Sequence, residues 1–333
     1  MPGSPSTLAR SLTSRRFAMV MGAIFSLAPF ASPLAENSSD IEEFLHTVKK
    51  ARVIDLSHTW DSQSPIAGVN PPYTFALAAT HANTRGSFGD GGQLSFTSEV
   101  MHFSGQHGAP SIDAIGHIGR DGKLFGGVDA AAATSDPDGI GASGVGAQLA
   151  IDQFPADLLV NRGILLDVAG MIQGDSSPLP ATFEITAAHL ERAAKRQRVK
   201  LQKGDTVFIR TGYGPLFKSN PGVYADPNAS PGPSVDGANF LIKHGARVVG
   251  NDTLTFEMRP PIINPGKPNF QVFPVHMRLI ADSGIYIIEN LNLEELAQAK
   301  AYEFVVVVPP LRVRGGTGSA LRVIALVPRK DRD

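Results

Sequence analysis

The sequence contains no cysteine, which excludes a disulfide scaffold, a thiol nucleophile and any thiolate-held zinc or iron–sulfur centre. Any metal must be held by His, Asp and Glu. Nor does one sign of charge dominate: 30 Lys and Arg stand against 31 Asp and Glu in 333 residues, a formal net charge of −1. No whole-chain field draws in nucleic acid or an anionic membrane surface. The apolar run from Phe17 to Ala31 is about 15 residues long and contains Pro29, short of the roughly 20 that a spanning helix needs. The chain also lacks G-x-S-x-G, so a serine nucleophile elbow is excluded. What it does have is 42% hydrophobic residues with 34 Gly and 25 Pro, enough apolar material for a core threaded by many turns.

Residues 1–35 carry Arg10, Arg15 and Arg16, no acidic residue before Glu36, and then the apolar run. This is the pattern of an export signal, and Arg15-Arg16 after Ser14 is similar to a twin-arginine signal. The reading is a signal peptide over 1–35, one catalytic domain over 36–333, a periplasmic or secreted location, and no membrane anchor after processing. Within the domain, Ile41–Ala51 has a helical scatter of apolar residues. Short β-branched runs bounded by Gly, Pro or Asp predict buried strands at Arg52–Ser57, Gly163–Val168, Asp205–Arg210, Ala246–Gly250, Gly284–Ile288, Phe304–Val308 and Arg322–Leu326. Helices are expected at Thr186–Gln197, Val235–His244 and Leu293–Lys300. Strands alternating irregularly with few helices give a mixed α/β class. Gly139, Gly141 and Gly144 match G-x-G-x-x-G, but Ser135-Asp-Pro-Asp138 before them is turn chemistry and not a strand, so the stretch reads as a loop.

The chemistry concentrates in His107-Gly-Ala-Pro-Ser-Ile-Asp113-Ala-Ile-Gly-His117, two imidazoles and a carboxylate suited to zinc or manganese. Fully extended, the ten steps would span roughly 33 Å, so these groups converge only if the chain folds back. Gly108, Pro110 and Gly116 supply the bends.

This stretch resembles the signature H-x-G-T-H-x-D-x-P-x-H, or its D-A-(apolar)-G-H ending, of the cyclase-like metal-dependent hydrolases that include kynurenine formamidase and isatin hydrolase. Ala109, Pro110 and Ser111 depart from the pattern, and Ser111 stands where a ligand imidazole is expected. Asp55-Leu-Ser-His58, Arg162–Asp167, Lys203–Gly212, Val249-Gly-Asn-Asp-Thr253, Pro274-Val-His276, Gly284–Asn292, Gly318-Ser319 and Arg322 continue the resemblance in the family's order. It implies a swivelling β/β/α-type single domain with a mixed β-sheet, and a homodimer or higher homo-oligomer. Carried over, His107, Asp113, His276 and Glu289 supply metal ligands and His117 the acid/base. A hydroxyl is a weaker donor than imidazole, so Ser111 implies one divalent ion, zinc or manganese, where related proteins hold two. The expected reaction is hydrolysis of a small amide, lactam or formamide by metal-activated water. The alternative is a metal-depleted, non-catalytic small-molecule-binding member of the family. Trp60, Phe103 and Phe273 are candidates for an aromatic wall, His58 for a site-lining residue, and His102 for a replacement ligand.

Overall fold

The β-branched runs alternate which side chain they send to each side, and that alternation builds two cores on one sheet. Leu165, Phe208, Val248 and Ile288 enter one cluster. Their neighbours Ile164, Val207, Val249 and Ile287 enter the other. A sheet buried on both faces needs continuous apolar strands, as these sequences are.

The computed structural model describes residues 38–68, 70–71, 73–106, 108–135, 144–145 and 149–329. Residues 1–35, whose sequence predicts an export signal, His107, and Gly139 with Gly141 lie outside the described residues. Residues 48–333 form one compact unit, and upstream Ser38–Lys50 is helical. The main sheet comprises β1 (Arg52–Asp55), β2 (Ser111–Asp113), β3 (Val160–Asp167), β4 (Thr206–Arg210), β5 (Val248–Asn251), β6 (Tyr286–Glu289), β7 (Glu303–Val307), β8 (Gly318–Ala320) and β9 (Ile324–Val327). Their spatial order is β1-β9-β7-β3-β4-β5-β6-β2-β8. The centre, β3 to β6, is parallel, and both flanks are antiparallel. This is the mixed α/β sheet that the sequence predicted, with the short β2 and β8 as additions to it.

Helices Ala187–Gln197 and Val235–Lys243 cover one face through Leu190, Ala193, Ala238 and Leu241. Their starts are fixed by side chains: Thr186 N–H donates to His189 Nδ1 at 3.2 Å, and Gly237 N–H donates to Ser234 Oγ at 3.4 Å. His189 is thereby committed to a helix end, remote in role from the metal chemistry.

At the carboxyl end of β4, Arg210 is buried and grips Glu294 with two bonds of 2.8 Å and Asp167 with one of 3.0 Å. The next residues, Thr211 and Gly212, donate backbone N–H bonds of 2.7 and 2.8 Å to buried Asp252. These pairs tie the ends of three parallel strands to the helix Glu294–Gln298. Arg210→Met strands two carboxylates without their cation, and breaking a buried pair from one side costs about 3–5 kcal/mol. Denaturant unfolding at constant m-value should show that loss.

Between β1 and β2 the chain forms a two-stranded antiparallel ribbon, Thr74–Ala79 with Ser98–His102. Phe75, Leu77, Val100 and Met101 are exposed on it. His102 sits there, opposite Thr74, and is not among the described residues that form or line the site described next.

Candidate metal centre

Register along β2 and β6 decides which side chains meet. Ile287 faces Asp113, Ile288 faces Ile112 and Glu289 faces Ser111. Since Ile112 and Ile288 point into the first core, Ser111, Asp113 and Glu289 all point to the opposite side. His276 reaches that side from the short turn Pro274–His276, whose start is set by Phe273 in the left-handed region at φ 52°. A bulky residue there is strained, and such strain persists where surrounding structure imposes it.

Asp113, His276 and Glu289 are all buried, and each offers a ligand atom within 4.8 Å of the others. His276 Nε2 lies 3.3 Å from Glu289 Oε1 and 3.7 Å from Asp113 Oδ2. A tetrahedral ion with bonds of about 2.0–2.1 Å separates its ligand atoms by about 3.3–3.4 Å, so the triad fits one small divalent ion. The donor set, one imidazole and two carboxylates, is equally suited to zinc or manganese. Ser111 Oγ lies on the same side, buried and without a hydrogen-bond partner among the described residues.

Electrostatics at the triad follow from burying two carboxylates beside an imidazole. Burial pushes the Glu289 carboxyl up to about 7, Asp113 adds repulsion, and His276 partly opposes the shift. Burial works against the His276 cation, yet Glu257 and Glu289 outweigh it and hold this imidazole well above its ordinary value. The metal-free cluster therefore stores protons that a dication would displace.

Glu257 escaped the sequence reading. It is buried and accepts from His276 Nδ1 at 2.6 Å, His276 N–H at 3.0 Å and Val275 N–H at 3.3 Å. Its only sequence signal was its place four residues after Val249-Gly-Asn-Asp-Thr253, in a stretch with no ligand pattern of its own. Asn290 was missed too. At φ 61° it follows Glu289, donates to the Gly108 carbonyl at 3.0 Å and accepts from Tyr224 Oη at 3.0 Å. It thus tethers the residue beside His107 to the end of β6.

A cavity of about 240 Å³ opens on the triad, lined among others by Asn70, Gln106, His117, Leu254 and Phe273. His117 reaches it after a turn in which its N–H donates to the Ala114 carbonyl at 3.0 Å. Its Nε2 stands 3.9 Å from Asp113 Oδ1, the oxygen not turned toward His276, and its side chain is 30% exposed. That exposure leaves the ring open to a guest in the cavity.

The aromatic wall is divided. Phe273 lines the cavity, whereas Trp60 and Phe103 pack on each other at 4.9 Å and on Tyr73 at the root of the ribbon. His58 stacks flat on Phe217 at 4.3 Å and lines a separate depression with Asp55 and Arg322. Burial pushes its imidazole down to about 4, so it is neutral.

Residues 54–258 match the family model described as "Putative cyclase". An isatin hydrolase of Roseibium aggregatum is 27% identical over an alignment of 154 residues that covers 44% of this chain and 53% of that protein. The match thus spans about half the length of that curated relative. A crystal structure described as a novel cyclase superposes with a TM-score of 0.69 at 27% identity, covering 85% of this chain and 89% of that one. A predicted metal-dependent hydrolase from Bacillus stearothermophilus shares the fold, with a TM-score of 0.52 at 19% identity over 83% of this chain and 98% of that one.

Proposed function

This chain belongs to the cyclase family, and on that premise we propose that it hydrolyses a C–N bond of a small amide, lactam or formamide. The observation that carries this reading is the triad Asp113, His276 and Glu289, spaced for one ion at the floor of a small cavity. These three side chains would hold one zinc or manganese ion, with His107 as a further ligand from outside the described residues. When bound, the ion supplies Lewis acidity toward a carbonyl and a lowered pKa for water.

The chain's own residues do the rest. His117 takes the proton of the attacking water at the ring nitrogen facing Asp113 and returns it to the departing nitrogen. Asp113 Oδ1 stands 3.9 Å from that nitrogen, beyond hydrogen-bond reach, so this carboxylate does not occupy the lone pair that takes the proton, and Oδ2 faces His276. Phe273, Leu254 and Ile118 give the cavity apolar walls, and Asn70 and Gln106 bring amide groups to it. At about 240 Å³ it lies just below the roughly 300–1,000 Å³ of drug-sized ligand pockets, which suits a small substrate.

Export through the segment 1–35, to the periplasm or beyond, is part of the same proposal. So is assembly into a homodimer or larger homo-oligomer. The exposed apolar ribbon supports assembly, because two strands alone are marginal in water.

Elemental analysis after gentle purification, run beside a panel of amides, lactams and formamides, tests the reading. The expected result is about one zinc or manganese per chain and metal-dependent turnover. A chain that binds panel members but takes up no metal on supplementation would instead be the non-catalytic binding member.

A further inference from the structure

We infer that Glu257 is a positioning residue that locks His276 with its proton on Nδ1, so that Nε2 is the nitrogen presented to the ion. The inference rests on the metal-centre reading above. A carboxylate only accepts hydrogen bonds, so the 2.6 Å contact to Glu257 Oε1 makes Nδ1 the donor and leaves Nε2 for the triad. The same oxygen takes the His276 backbone N–H at 3.0 Å, and the second oxygen takes that of Val275. Ring and main chain are thus fixed by one carboxylate, which removes rotation about the side chain as well as the choice of tautomer.

Nothing else explains this buried charge as well. Among the described residues, the ion pair of Glu257 is with His276, and all its side-chain hydrogen bonds go to residues 275 and 276. The segment that carries it is itself braced. Phe256 is buried in the left-handed region at φ 47°. Gly232 packs so closely that an added Cβ would lie 2.5 Å from the Glu257 carbonyl carbon. Arg259 N–H donates to the Ser230 carbonyl at 2.9 Å. A rigid second support of this kind orients a ligand imidazole and raises its basicity, and its loss typically weakens metal binding about 10–100-fold.

The test titrates zinc and manganese into the full chain and into Glu257→Gln and Glu257→Leu. It also follows 15N-labelled histidine side chains in the zinc-loaded proteins by NMR. Beside the His107 imidazole, wild type should show a zinc-bound His276 imidazole with a slowly exchanging Nδ1–H. Glu257→Leu should lose that protected proton and bind metal about 100-fold more weakly. Glu257→Gln, which keeps the shape and one acceptor oxygen, should retain the proton with a loss nearer 10-fold, and it decides the matter if the leucine variant fails to fold. Unchanged affinity in both variants, or zinc on His276 Nδ1 in wild type, overturns the positioning role alone. A wild type that takes up no metal overturns the metal-centre reading and this inference together.

Discussion

Asp113→Ala should release the metal and stop turnover in one step. Asp113 is the side chain that both other parts of the site face, with Oδ2 3.7 Å from His276 Nε2 and Oδ1 3.9 Å from His117 Nε2. A structural zinc site is worth about 10–16 kcal/mol over four ligands, so one ligand accounts for about 2.5–4 kcal/mol, or about two to three orders of magnitude in affinity. The folded chain should survive the change. Asp113 repels Glu289 in the metal-free protein and adds to the burial that pushes Glu289 up to about 7, so removing it relieves a cost. Metal content and thermal melting of Asp113→Asn beside Asp113→Ala check this. A variant that keeps its ion, or that unfolds while the isosteric Asn variant does not, would count against Asp113 as a ligand.

His117→Ala should do the opposite, keeping the metal and the fold while turnover falls about 10²–10⁴-fold. The ring is 30% exposed and faces the Asp113 oxygen directed away from His276. Imidazole is the side chain whose unperturbed titration lies closest to neutrality, which suits a group that must take a proton and return it. The measurement is kcat on whichever amide or lactam the panel identifies, with bound metal quantified on the same sample. If His117→Ala loses its ion as fully as Asp113→Ala, His117 is a ligand that stands in for the imidazole missing at Ser111, and the proton carrier must be sought elsewhere.

The central strands were legible because their β-branched runs sit between turn residues, and each predicted run overlaps a strand of the sheet. Asp113, His276 and Glu289 were legible through a resemblance distributed along the chain, and the fold brings them together. Other features left no local mark. Ser111–Asp113 is only three residues long, lies just after Pro110 and before Gly116, and reads as a loop. Only its place between β6 and β8 makes it a strand. The ribbon from Thr74 to His102 carries apolar residues on both of its sides without polar alternation, so the period-two signal fails there. Glu257 acts through a hydrogen bond to a residue 19 positions away, a relation that composition and spacing do not encode. Trp60 and Phe103 look, in sequence, like wall residues equivalent to Phe273, yet the chain turns between Trp60 and Ala67 and sends them to the ribbon's root.

The brevity of β2 has a consequence for how the gene can change. Its three side chains serve two masters in strict succession: polar toward the side of the triad, apolar toward the core, polar toward the triad again. A swap of one side chain is a local event. An inserted or deleted codon within Ser111–Asp113 is not, because the side-chain period of two would turn Ile112 into the cavity and bury a carboxylate among leucines and isoleucines. What these nine nucleotides must preserve above all is therefore their reading length, whereas the ribbon upstream, free of that parity, is where insertions can accumulate without reaching the cavity floor.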